Sequence, residues 1–134
     1  MALKFKAKEL HDSILFYCSQ SEDGQGDFAS LALKGGHLEF RFDTGSGPAV
    51  LRSVEPVSAD RWHEVKIKRK LREASMTLDA GAPVVGKSAG NTRGLNIRTP
   101  FYLGGVNTAV LTFAPGVGVD QGFSGCIVEV SMWL

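Results

Sequence analysis

Residues 27–47, DFASLALKGGHLEFRFDTGSG, constrain the fold more than any other stretch of this chain. Apolar side chains recur through Phe28, Leu31 and Leu33, Gly35 and Gly36 interrupt them, and alternation resumes through Leu38, Phe40 and Phe42 until Gly45-Ser46-Gly47. Alternation on both sides of a glycine pair is a hairpin pattern, because successive strand side chains point to opposite faces whereas a helix needs a repeat of about 3.6 residues. Asp27 and Asp43 stand at the open ends of the two strands, and antiparallel pairing brings those ends together. One rim of the sheet therefore collects oxygen ligands.

The rest of the chain reads the same way. The 16 glycines and 5 prolines are spread through the sequence, and they leave no strongly amphipathic segment of helical length. Residues 3–8 alternate apolar with basic, 14–18 are a compact apolar run, and 19–26 (SQSEDGQG) are an exposed loop. A strand is expected in 48–57, carried by Val50, Val54 and Val57. In 62–72, Val65 and Ile67 share one face and Glu64, Lys66, Lys68 and Lys70 the other. That run should pair with 76–81 as a second hairpin, with edge structure at 83–86. Short apolar pieces at 95–97 and 101–103, a long weakly polar connection over 106–121, and a last strand at 123–132 follow. The expected fold is all-β, about ten short strands in a sandwich or jelly roll of two antiparallel sheets, as one domain over 1–134.

With 15 basic against 14 acidic side chains, bulk charge points to no polyanion, and nucleic acid is not an expected partner. No apolar run approaches a membrane span, and the opening MALKFKAKELH lacks a signal-peptide core, so the sequence reads as cytosolic or as an excised piece of a secreted chain. His11, His37 and His63 have no transition-metal spacing and read as turn or strand residues. Neither Ser46 nor Ser124 sits in a nucleophile elbow, and the glycines at 116, 118 and 122 miss the dinucleotide fingerprint. An enzyme is not expected. Cys18 and Cys126 are too few for a disulfide scaffold, and their spacing alone leaves a bridge between them open.

The blocks FASLALKGGHLEFRFDTGSG, RWHEVKIKR, TLD, FYLGGV and GFSGCI resemble, in order, the successive blocks of a laminin G-like (LNS) domain, a concanavalin-like jelly roll. The wording is most similar to the matrix and synaptic group of agrin, perlecan and pikachurin. The resemblance implies a non-enzymatic extracellular adhesion module, in the matrix or synaptic cleft, with Ca2+ on one rim. It carries the metal ligands onto the Asp27 carboxylate, the Thr44 and Gly94 carbonyls and the Asn96 side chain. One formal charge among these ligands implies weak binding, in the range of about 10⁻⁴ to 10⁻³ M. Water positions left open on the ion would admit the carboxylate of an acidic glycan of the α-dystroglycan type, flanked by Arg52, Arg93 and Arg98.

A second surface is the lysine face Lys66, Lys68 and Lys70, with Arg69 and Arg72 beside it, which would attract heparan sulfate independently of calcium. Two further readings are a purely structural packing module and a cytosolic sugar-binding or hydrolytic jelly roll. Against the family pattern the chain is expected to lack a first strand and a C-terminal closing strand whose cysteine would pair with Cys126. That would leave apolar edge surface around Ile127, Val130 and Trp133. No N-glycosylation sequon is present.

Overall fold

Ten strands form where the alternating runs stand, across residues 1–90 and 94–132, which the computed structural model describes. They are β1 (Ala2–Ala7), β2 (Ser13–Ser19), β3 (Phe28–Lys34), β4 (His37–Asp43), β5 (Pro48–Arg52), β6 (Trp62–Lys70), β7 (Glu73–Leu78), β8 (Val84–Lys87), β9 (Tyr102–Leu103) and β10 (Gly125–Ser131). A 3-10 turn spans Pro115–Val117. The strands pair antiparallel in two five-stranded sheets, ordered β10-β1-β6-β7-β8 and β5-β4-β3-β2-β9.

The central hairpin is in the expected register, with Lys34 opposite His37, Leu31 opposite Phe40 and Phe28 opposite Asp43. Gly35 and Gly36 turn it with positive φ of 59° and 78°, a conformation that costs glycine least. The sheets face each other across a core that includes Leu3, Phe5, Leu31, Leu33, Leu38, Phe40, Phe42, Leu51, Val65 and Ile67. The lysine strand also follows its pattern, since Val65 and Ile67 are buried while Lys66, Lys68 and Lys70 are exposed.

β2 is buried on both faces, which is why its apolar run is continuous rather than alternating. Leu15, Phe16 and Cys18 enter the core between the sheets. Ile14 and Tyr17 point the other way, into a second cluster with Phe28, Ala32, Leu111, Ala114 and Val117. The connection at 106–119 is thus a cover over the outer face of the second sheet, fastened where the Tyr17 hydroxyl accepts the Ala114 N–H at 3.0 Å.

Four expectations are corrected. β5 stops at Arg52, and Ala49 and Leu51 face inward while Val50 and Val54 are exposed. Phe28 joins the outer cluster and not the face of Leu31 and Leu33. Residues 95–97 are not a strand, although Leu95 and Ile97 still pack on the core. On β10, Ile127 packs against the core, and the exposed apolar residues are Val128 and Val130; Trp133 lies outside the described residues. Cys18 and Cys126 are both free. Cys18 is buried, and burial pushes its thiol up to about 12, so it remains protonated.

His63 is buried and stacked on Phe5, with ring centroids 5.4 Å apart, and its Nδ1 lies 2.8 Å from the Asp79 carboxylate. Burial pushes the Asp79 carboxyl up, but the Glu64 N–H at 2.9 Å, His63 and the charge of Arg61 outweigh it and hold the group below the usual carboxylate range. A carboxyl lowered in the folded state stabilises above its unfolded value of about 3.9, and that contribution is lost as pH falls through the lowered one. Asp79→Asn is therefore expected to be less stable than wild type at neutral pH, with the difference closing on acidification. Urea midpoints between neutral and strongly acid pH measure it, and a gap unchanged by pH would contradict the assignment.

Candidate functional site

The open end of the central hairpin carries the candidate site. Asp27 precedes β3 and Thr44 follows β4, so the Phe28–Asp43 pair sets them side by side. Asp27 is 4% exposed. Its N–H donates to Gln20 Oε1 at 3.1 Å, and its carbonyl accepts the Gln20 N–H at 2.8 Å. The carboxylate Oδ2 accepts the Asn96 N–H at 2.9 Å. No donor among the described residues reaches Oδ1, and none of their cationic side chains pairs with this carboxylate.

Asn96 is drawn to this rim from far along the sequence by a stitch across the end of β2. The Arg98 and Thr99 amides both donate to the Ser19 carbonyl at 3.0 Å, and the Ser19 N–H donates to Thr99 Oγ1 at 2.9 Å. Because Ser19 pairs with Phe28, residues 96–99 lie beside Asp27. Thr44 is fully buried, with its hydroxyl 3.0 Å from that of Ser88. Gly94 and Asn96 are exposed, and nothing stands within 4 Å of where a Gly94 Cβ would be.

Of the residues singled out from sequence, Asp27, Thr44 and Asn96 come together at one rim, with Gly94 two positions before Asn96. Arg98 is exposed and shares that rim. Arg93 lies outside the described residues.

Arg52 does not flank the rim. It pairs with Glu39 near the turn end of the hairpin, about 16 Å along β4 from Thr44 at about 3.3 Å per residue. Its guanidinium is held there by the Glu39 carboxylate and by the Lys34 carbonyl at 3.0 Å. Asp43, the second acid of the hairpin ends, turns its carboxylate back onto its own loop and accepts the Gly45 and Gly47 N–H groups at 2.7 and 3.2 Å.

The donor set at the rim is all oxygen, one carboxylate with an amide and carbonyls, which fits a hard cation such as Ca2+ and not a soft one. The Asp27 carboxylate also fits, since its Oδ1 has no protein donor among the described residues and keeps its lone pairs free for a cation. No cluster of three or more His, Cys, Asp and Glu residues that could hold a metal occurs among the described residues, so any cation here would be held by a single charge.

The lysine face is less cationic than its sequence suggests. Lys66 Nζ lies 3.4 Å from Glu64 Oε1, and Lys70 stands opposite Glu73. Sequence reasoning missed the stitching role of Ser19 and Thr99, which have no signal in a linear reading because their partners are remote. It also missed the Glu39–Arg41–Arg52 network on the outer face of β4 and β5.

Comparison with known proteins is consistent from sequence to structure. The family model of the laminin G domain matches residues 5–133. The basement membrane-specific heparan sulfate proteoglycan core protein (perlecan) of Mus musculus is 44% identical over 130 residues, 97% of this chain and 4% of its own length. Pikachurin of Rattus norvegicus is 38% identical over 132 residues, 98% of this chain and 13% of its own. Among solved structures, domains LG4-5 of the mouse laminin alpha1 chain superpose with a TM-score of 0.80 at 28% identity, covering 94% of this chain and 32% of that one. The chain thus spans a small part of the curated relatives, one module of much longer proteins. With the family model covering nearly every residue and both sheets reproduced in a laminin, this chain belongs to the laminin G domain family.

Proposed function

We propose that this module, a non-enzymatic matrix or adhesion domain by family, acts outside the cell and binds an acidic glycan through a weak Ca2+ site on the hairpin rim. The observation that carries the reading is the Asp27 carboxylate, buried at an otherwise open rim with a single N–H donor and no cation among the described residues. Thr44, Gly94 and Asn96 would supply the remaining protein oxygens and water the rest. A sugar carboxylate would then replace water on the ion, with Arg98 beside it. A glycan of the α-dystroglycan type meets that chemistry. Heparan sulfate on Lys66, Lys68 and Lys70 is the weaker alternative, because Glu64 and Glu73 offset part of their charge.

Calcium at about ten times its dissociation constant should stabilise the fold by about 1.4 kcal/mol. For a chain of this size the melting temperature should rise by about 3–8 °C relative to chelator. The rise should vanish in Asp27→Asn, which keeps the side-chain shape. No rise in folded wild type, or an equal rise in the variant, would remove the ion from this rim.

A further inference from the structure

The outer face of the first sheet carries an open groove of about 820 Å³ that the rim reading does not use. It lies where β10, β1 and β6 run side by side. Lys4 stands opposite Val128 on one flank and Glu64 on the other, and Lys6 opposite Trp62. Trp62 is 48% exposed, a large aromatic surface on a strand face otherwise lined with charge. Lys6 Nζ sits 5.9 Å from the centroid of its ring. An indole left half in water is a contact surface in waiting, since it offers a flat apolar face at small entropic cost.

Around the ring, donors and acceptors alternate in pairs. Lys4 Nζ is 2.9 Å from Glu129 Oε2 and Lys66 Nζ is 3.4 Å from Glu64 Oε1, and Asp79, its carboxylate engaged by His63 and the Glu64 N–H, also lines the groove. The lining itself holds two lysines against three carboxylates, and Lys6, outside the lining but over the Trp62 ring, brings the surroundings to three against three, so no cationic surplus is left to attract a polyanion. Glu129 reaches its place through a register shift in β10, where Ala2 faces Ser131 and Lys4 faces Val128. Its backbone is left-handed at φ 52°, costly for a residue with a Cβ, and the shift turns its carboxylate toward the groove.

We propose that this groove is a calcium-independent site for an uncharged oligosaccharide. Trp62 stacks against the C–H face of one sugar ring, and Lys4, Glu64, Lys66 and Glu129 exchange hydrogen bonds with its hydroxyls. A sugar suits such a surface because each hydroxyl donates and accepts at once and can bridge an ammonium to a neighbouring carboxylate. The groove's volume is that of a small-ligand site, and its open shape suits a short chain of sugar rings lying along the sheet. The site is on the opposite sheet from Asp27 and does not depend on the rim reading.

The test is a titration of the whole chain by amide and indole NMR in excess chelator, using N-acetyllactosamine tetrasaccharide and maltotetraose as probes. The expected result is saturable movement of the Trp62 indole signal, assigned through Trp62→Phe, and of the Lys4, Lys6 and Lys66 amides, with a dissociation constant of about 1 mM for at least one probe. Affinity should be the same at low and high salt, because no net charge is neutralised. Trp62→Ala should weaken binding about tenfold or more while Trp62→Phe keeps part of it, by analogy with stacking of other flat rings. Both variants should retain any calcium-induced rise in melting temperature, which separates this site from the rim. No saturable shift with either probe would overturn the proposal. So would shifts that survive Trp62→Ala, or the same signals moving with a heparin tetrasaccharide or an acidic peptide and not with the uncharged sugars.

Discussion

Phe40→Ala is expected to lower the free energy of unfolding by about 3–5 kcal/mol. The melting temperature should fall by about 10–25 °C for a chain of this length. Phe40 is fully buried in β4, between Leu31 of β3 and Leu51 of β5, and stacks on Phe42 with centroids 5.6 Å apart. Truncation loses the transfer of a large ring and leaves a cavity that sheet hydrogen bonds on both sides prevent from closing. Total stability is typically about 5–15 kcal/mol, so the variant is expected at the margin of folding. Val50→Ala, one position away in the facing strand and exposed, should change stability by no more than about 0.5 kcal/mol. Urea unfolding of the two variants side by side measures the contrast. Similar costs would mean that the inward face of this hairpin is misassigned.

Glu39→Ala is the second large effect, at about 3 kcal/mol. The Glu39 side chain is 6% exposed, and its Oε1 accepts from Arg41 Nη2 at 2.6 Å and Nε at 3.0 Å while Oε2 accepts from Arg52. Arg41 in turn donates to the Gly116 carbonyl at 3.0 Å, so the network ties the covering segment to the sheet. Removing the carboxylate strands a largely buried guanidinium with that one carbonyl partner, which costs more than the ion pair itself contributes. Arg52 is 43% exposed and contributes less of the loss. The double variant Glu39→Ala/Arg41→Ala should therefore be less destabilised than the sum of the singles, since it leaves no orphaned charge. Denaturant midpoints of the four proteins in the cycle decide it. A cost below about 1 kcal/mol for Glu39→Ala would mark the network as an ordinary surface pair.

Stability and the candidate site occupy different ends of the same hairpin. The Glu39 network and the Gly35–Gly36 turn hold one end. The other end presents Asp27 with residues 96–99 stitched beside it. Substitutions at Glu39 and at Asp27 should accordingly act independently, because separate residues with no shared partner usually add.

What the sequence by itself determined was local. The turn at Gly35 and Gly36, the alternation of Leu38, Phe40 and Phe42, and the split of β6 into an apolar and a lysine face all follow from a period of two and the conformational freedom of glycine. The meeting of the hairpin ends at Asp27 and Asp43 was legible for the same reason, since a hairpin register is local, whereas Thr44 came from the family resemblance alone. Tertiary structure decided what depends on neighbours remote in sequence. Whether a strand face is core or surface depends on what covers it, so Val50 and Val54 turned outward while Phe28 and Tyr17 were buried under residues 106–119. Which end of the sheet a side chain reaches depends on strand order. That took Arg52 away from the rim, brought Asn96 to it through Ser19, and set Glu129 beside Lys4 in the Trp62 groove, with Lys4 between two strands that are far apart in the chain.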